Sequence, residues 1–245
     1  MLVTKKDIIS QLRKDILLLE GFKPPAAEAV SVMGLGAVET AFPNGIFPTG
    51  TVHEFLCTAA EQAAASGGFM AALLGKLMQN DGISVWISAS RKIFPPALKA
   101  FGIEPDRVIF VDLQKEKDVL WAIEEALKCE GLTAVVGEVQ EMSFAQSRRL
   151  QLAVENSGVT GFILRSNINR LNATACTARW QITPLPSETE NEMPGLGFPR
   201  WNVELLKVRN GQTGSWEMEW AADRFIEISK PIAAGEAILR QLKAG

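Results

Sequence analysis

Apolar residues recur along this chain in two rhythms, and their alternation sets out the elements. Over residues 4–20, Ile8, Leu12, Ile16 and Leu19 fall three or four apart with Lys, Arg and Asp opposite, the stripe of an amphipathic helix. Gly21 and then Pro24-Pro25 stop it. Residues 30–48 keep no period and are punctuated by Gly34, Gly36, Pro43, Gly45 and Pro48, so they read as loop. A short strand follows at 51–56, then the small-residue run AAEQAAASGG, then a helix from about Gly68. The run ISVWISA at 83–89 is apolar without alternation, as a strand covered on both faces must be. A short helix at 94–101, a strand at 108–112 and an amphipathic helix at 118–129 come next. A buried strand at 132–136 ends in Gly137-Glu138, and a helix at 143–157 and a strand at 161–164 complete the series. Strands alternating with helices at this spacing require crossover connections and a mostly parallel central sheet, an α/β fold.

The last third changes rhythm. Strands are predicted at 178–183, 201–209 and 215–220, with a Pro-rich loop at 184–199 between the first two. Asn-Gly-Gln-Thr-Gly at 210–214 supplies the turn of a C-terminal hairpin, and 225–228 is a candidate third piece. Residues 236–243 are at most a frayed terminal helix.

The 28 acidic against 25 basic side chains argue against a protein that coats nucleic acid by bulk charge. Cys57, Cys129 and Cys176 are odd in number and lie far apart, which disfavours a disulfide framework or a metal site and fits a reducing compartment. No apolar run reaches the ~18 residues of a membrane span, and the first ten residues lack a secretory h-region. The expectation is a cytoplasmic chain with no membrane contact.

Candidate chemistry concentrates between Pro43 and Leu77. A Gly/Pro turn, a strand, a small-residue loop and a helix are the layout of a phosphate-binding loop. The working parts are missing. G-x-x-x-x-G-K-[ST] puts a Lys on the phosphates and a hydroxyl on Mg²⁺, whereas Ser66-Gly67-Gly68-Phe69 offers Gly and Phe at those places. Glu138 follows Gly137 instead of ending its strand directly, so the metal-shell carboxylate is displaced too. Hydrolysis is not expected, and no cofactor, metal or catalytic residue is assigned; weak nucleotide binding by loop amides stays open. Gly75-Lys76 lies mid-helix with no loop before it, leaving Lys76 as a solvated residue. His53, the single histidine, sits mid-strand and reads as packing.

Two further groups stand out. Arg148, Arg149, Arg165, Arg170 and Arg179, with Asn167, fall in one α/β segment and the loop after it, where guanidinium and amide donors suit phosphate or partner contacts. The competing reading is a solvated loop whose charges pair with nearby Glu. Trp180, Trp201, Trp216 and Trp220 crowd the C-terminal strands, as core packing or a partner surface.

Several stretches carry a resemblance. FPNGIFPTGTVHEF resembles the approach of RecA-like proteins to their first core strand. LWAIEEAL at 120–127, AVVGE at 134–138, SRRLQLA at 147–153, GVTG at 158–161, Ala178-Arg179-Trp180 and GLGFPRW at 195–201 are together similar to the ImuA family. Gly214-Ser215-Trp216 and Glu219-Trp220 extend that match, which covers roughly residues 40–220. The resemblance implies a RecA-like three-layer fold divided into an arm and linker at 1–30, a core at 31–228 and a tail at 229–245. It implies a non-catalytic adaptor in damage-induced mutagenesis, partnered by an ImuB-like polymerase relative, RecA and an error-prone polymerase. The chain would then be nucleoid-associated when active, with any DNA contact weak or indirect. By analogy of layout, Ile8, Leu12, Ile16 and Leu19 form an arm interface for a partner or a second copy; the competing reading is a helix folded back onto its own domain. A SulA-like inhibitor binding FtsZ and a RecA-like DNA-dependent ATPase are the alternatives.

Overall fold

The computed structural model describes residues 33–79, 81–89, 93–166, 172–188 and 197–228. The predicted arm, with Ile8, Leu12, Ile16 and Leu19, the predicted tail, and Asn167 and Arg170 lie outside the described residues.

Nine strands form one sheet: β1 (Val52–Leu56), β2 (Ser84–Ser88), β3 (Val108–Asp112), β4 (Ala134–Val139), β5 (Thr160–Arg165), β6 (Ala178–Leu185), β7 (Arg200–Val208), β8 (Gly214–Ala221) and β9 (Arg224–Glu227). Their order is β3-β2-β4-β5-β1-β6-β7-β8-β9. The first six in that order are mutually parallel, and β7 to β9 extend the sheet antiparallel. β1, β2 and β5 are buried at every position, which is why their sequences carry no in-out alternation.

Three helices connect the strands: α1 (Ala60–Leu77), α2 (Glu116–Leu127) and α3 (Phe144–Ser157). Side chains alternate across a strand. Phe55, Val136 and Phe162 therefore face a core shared with Phe69, Met70 and Leu73 of α1, while Val52, Val135 and Ile163 face a second core with Ile123 and Leu150 of α2 and α3. The sheet is covered on both faces, as the α/β rhythm requires.

α3 begins with a capping box, in which Gln146 N–H donates to Ser143 Oγ and the Gln146 side chain accepts from Ser143 N–H. It ends at Gly158, φ +75°. Residues 33–48 are not a free loop. They form two short 3-10 turns, Gly36–Ala41 and Pro43–Gly45, whose neighbours Met33, Leu35, Phe42 and Phe47 are buried in the first core.

Three of the boundaries that differ from expectation have a clear physical cause or bear on the site. α1 starts at Ala60, eight residues before the predicted Gly68, because the Ala-, Glu- and Gln-rich run is made of strong helix formers and propagates the helix. Of the Gly pair inside it, Gly68 packs against Phe101 and Trp201, whose ring atoms would lie 3.4 Å from a Cβ there. β4 runs on through Gly137 and Glu138 to Val139. Gly137 belongs there because a Cβ would fall 2.3 Å from Ile123 Cδ1 of the overlying helix. β6 reaches Leu185, so Pro184 is a strand residue, paired in register with Trp201.

Candidate functional site

Open parallel sheets place their ligands at the carboxyl ends of the strands. Here Leu56, Arg165 and Val139 are level with one another through β1, β5 and β4. Only residues 57–59 separate β1 from α1, too few for the eight-residue Walker A loop. Ser66, Gly67, Gly68 and Phe69 accordingly lie inside α1, within its second and third turns, and not in a loop at its start. Ser66 and Phe69 are buried. Phe69 stands at the centre of the aromatic core, its ring centroid 5.3 Å from Phe225, 5.6 Å from Trp201, 5.9 Å from Trp180 and 6.4 Å from Phe55. What the sequence shows as a lost hydroxyl is a packing residue.

Just before α1, whose N-cap Ala59 makes no side-chain cap bond, Thr58 is tied to the helix's first turn. Gln62 Oε1 accepts from both the backbone N–H and the hydroxyl of Thr58, each at 2.9 Å, and Glu61 puts a carboxylate in the first turn. A helix N-terminus attracts anions through its free amides and partial positive charge. Here an acceptor and a negative charge already occupy that neighbourhood. Glu138, projecting on the α1 face of β4, accepts a 2.7 Å hydrogen bond from the Trp86 indole. Lys76 is engaged as well, donating to Asp223 O at 2.7 Å and lying 5.7 Å from the Trp220 ring centre.

The largest correction concerns Arg165. Instead of facing solvent it is 2% exposed and turned under the sheet's end, where Nη1 lies 2.5 Å from Glu54 Oε1. Arg179 Nε donates to the other carboxylate oxygen at 2.7 Å, and Thr174 Oγ1 donates to that same oxygen at 2.9 Å. Since β1 lies between β5 and β6, Glu54 sits midway between its two arginines. Asn172 joins them: its Oδ1 accepts from Arg165 Nη2 at 3.0 Å, its backbone O from Arg179 Nη2 at 2.8 Å, and its Nδ2 donates to Met142 O at 2.8 Å. Lys207 donates to the carbonyls of Thr174 and Cys176, and Arg209 to that of Ala175. Burial pushes the Cys176 thiol up to about 12, with the Glu54 charge adding to the effect, so it stays a thiol. Glu54 was missed as a site residue. Its signal is a carboxylate inside the apolar strand Val52–Leu56, a position that demands a buried cationic partner.

Arg148 and Arg149 are on the exposed surface of α3, and Arg149 reaches Glu124 of α2 at 2.5 Å. Among the described residues, the predicted arginine group is therefore split between the buried Arg165 and Arg179 and the surface Arg148 and Arg149. His53 is fully buried, stacked 4.5 Å from Phe47. Its Nε2 is 2.7 Å from Pro48 O and its Nδ1 3.2 Å from the Trp180 indole N. That pattern fits the neutral imidazole with Nε2–H donating to the carbonyl and Nδ1 accepting from the indole. Burial lowers its pKa to about 4 against the partial opposition of Pro48 O. Trp180, Trp201 and Trp220 are buried in the first core with Trp216 packed against it, and they supply core and not partner surface.

A parallel sheet with helices on both faces, an antiparallel extension beyond β6, and a strand–helix junction at the carboxyl edge define a RecA-like α/β protein. No family model matches the chain. Protein ImuA of Caulobacter vibrioides, in each of two strains, is 32% identical to it over 198 residues, covering 76% of this chain and 81% of the relative. The chain belongs to the ImuA family. Among the described residues, no helix is long and apolar enough to cross a membrane.

Proposed function

We propose that this protein is a non-catalytic accessory factor in damage-inducible mutagenesis, which works by protein contact to assemble an error-prone translesion polymerase complex. The observation that carries the reading is its 32% identity to Protein ImuA over 76% of the chain. The β1–α1 junction supports it: three residues join the strand to the helix, Thr58 bonds Gln62, and Phe69 belongs to the aromatic core. The partners in this reading are an ImuB-like polymerase relative, RecA and an error-prone polymerase, with the arm at Ile8, Leu12, Ile16 and Leu19 and the exposed Arg148 as contact candidates; any DNA contact is weak or indirect. Immobilised full-length protein challenged in parallel with an ImuB-like protein, RecA and FtsZ tests it. Capture of the ImuB-like protein is the expected result. Capture of FtsZ alone would replace the reading with a division inhibitor, and capture of none of the three would overturn it.

A further inference from the structure

The connection from β5 to β6 has an unusual task. Because β5, β1 and β6 are parallel, it returns from the carboxyl end of β5 to the amino end of β6, and residues 172–177 lie over the face of β1 that carries Val52 and Glu54. A segment lying over a sheet face in this way has no ladder of its own, so its backbone groups need other partners. In residues 172–177 they are cationic side chains. The carbonyls of Asn172, Thr174, Ala175 and Cys176 accept from Arg179, Lys207 and Arg209. Ser147 Oγ of α3 accepts from Ala175 N–H at 2.9 Å, and Val52 O accepts from Thr177 N–H at 2.9 Å. Below them the Glu54 carboxylate bonds one arginine from each strand that the connection joins, and Thr174 from the connection itself.

We infer that Glu54 is a built-in clamp: it fixes the segment 172–177 over the face of β1 through Arg165, Arg179, Thr174 and Asn172, so that the segment is held by the chain's own charges and needs no bound ligand. The geometry carries this in three ways. Both carboxylate oxygens are used, one toward each arginine, so the carboxylate joins β5 and β6, the two strands that the connection links. Hydrogen bonds to a buried ion are about twice as strong as neutral ones, and removing the shared acceptor strands both guanidinium groups in the interior. The network also ends on Met142 O, at the start of α3, so the segment is tied to the neighbouring strand–helix connection as well. The inference concerns the conformation of the segment and does not depend on which partner the protein captures.

Amide hydrogen exchange on the full-length protein tests it, because exchange reads local opening separately from global unfolding. Two variants are compared with wild type, Glu54→Gln and Asn172→Ala. Glu54→Gln leaves both guanidinium groups facing a neutral amide and risks misfolding. Asn172→Ala removes one arm at a half-buried position without stranding a buried carboxylate. Exchange in 172–177 is expected to accelerate about tenfold or more in Asn172→Ala and in any folded Glu54→Gln, with α1 and β2 unchanged. ATP with Mg²⁺ is expected to leave exchange of the wild-type segment as it was. Wild-type rates in 172–177 for Asn172→Ala, acceleration spread evenly over the whole sheet, or protection of the segment that appears only with ATP would each overturn the inference.

Discussion

Writing a Walker-type Lys and Thr into positions 68 and 69 should damage the fold without creating an ATPase. In Gly68→Lys/Phe69→Thr, position 69 lies inside α1 with its side chain fully buried against four aromatic rings. Truncating a buried Phe costs about 3–5 kcal/mol through lost transfer energy and the cavity left behind. Thr keeps a methyl group but brings in a hydroxyl whose desolvation costs about 1–3 kcal/mol where no acceptor is in reach. A destabilisation of about 3–4 kcal/mol is therefore expected from position 69 alone, a large share of the roughly 5–15 kcal/mol that holds a domain together. Gly68→Lys sets a charged side chain beside Phe101 and Trp201, whose ring atoms lie 3.4 Å from its Cβ. Urea denaturation followed by tryptophan fluorescence measures the effect, with Phe69→Leu as the control at about 1–1.5 kcal/mol. A Phe69→Thr loss below about 1 kcal/mol, or MgATP turnover in the double variant, would refute the packing argument, because either requires position 69 to leave the core.

Other consequences follow from single residues. His53 is held neutral with its pKa lowered to about 4 from 6.5. The unfolded chain binds the proton first, so stability is complete above about pH 6.5 and falls on acidification toward pH 4, by about 3 kcal/mol; a His53→Gln variant should lose that part of the slope in urea titrations between the two pH values. Gly75→Ala should cost more than about 2 kcal/mol, since its Cβ would stand 2.1 Å from Phe101 O, and thermal melts read it directly. The β8–β9 hairpin turns through Ala222 and Asp223 at φ +50° and +55°, a left-handed pair that suits Asn or Gly. Ala222→Asn should therefore stabilise by roughly 0.5–1 kcal/mol, and an unchanged or lower melting temperature would count against that assignment.

Much of the architecture was legible because burial on both faces writes itself into composition. The strand at 108–112 and the C-terminal hairpin followed from apolar runs and turn residues alone. The start of α1 was misjudged because alanines and glycines permit both close-packed loop and helix, and here propensity decided. The site was less readable. Arg165 and Arg148 look alike in sequence, yet the strand register sends one under the sheet to Glu54 and leaves the other on the surface of α3. Side-chain destination at a strand end depends on which neighbour lies alongside, and the order β5-β1-β6 cannot be read from chain order. Phe69 was noticed for what it lacks, while its partners Trp201 and Phe225 come from strands more than a hundred residues away.

Steady-state ATP hydrolysis by the purified full-length protein, with and without single-stranded DNA, addresses the central claim most directly. The account predicts turnover indistinguishable from the protein-free blank in both conditions. DNA-stimulated hydrolysis that co-purifies with the protein and disappears on substitution of Glu138 would contradict it, making the carboxyl edge of the sheet a working nucleotide site.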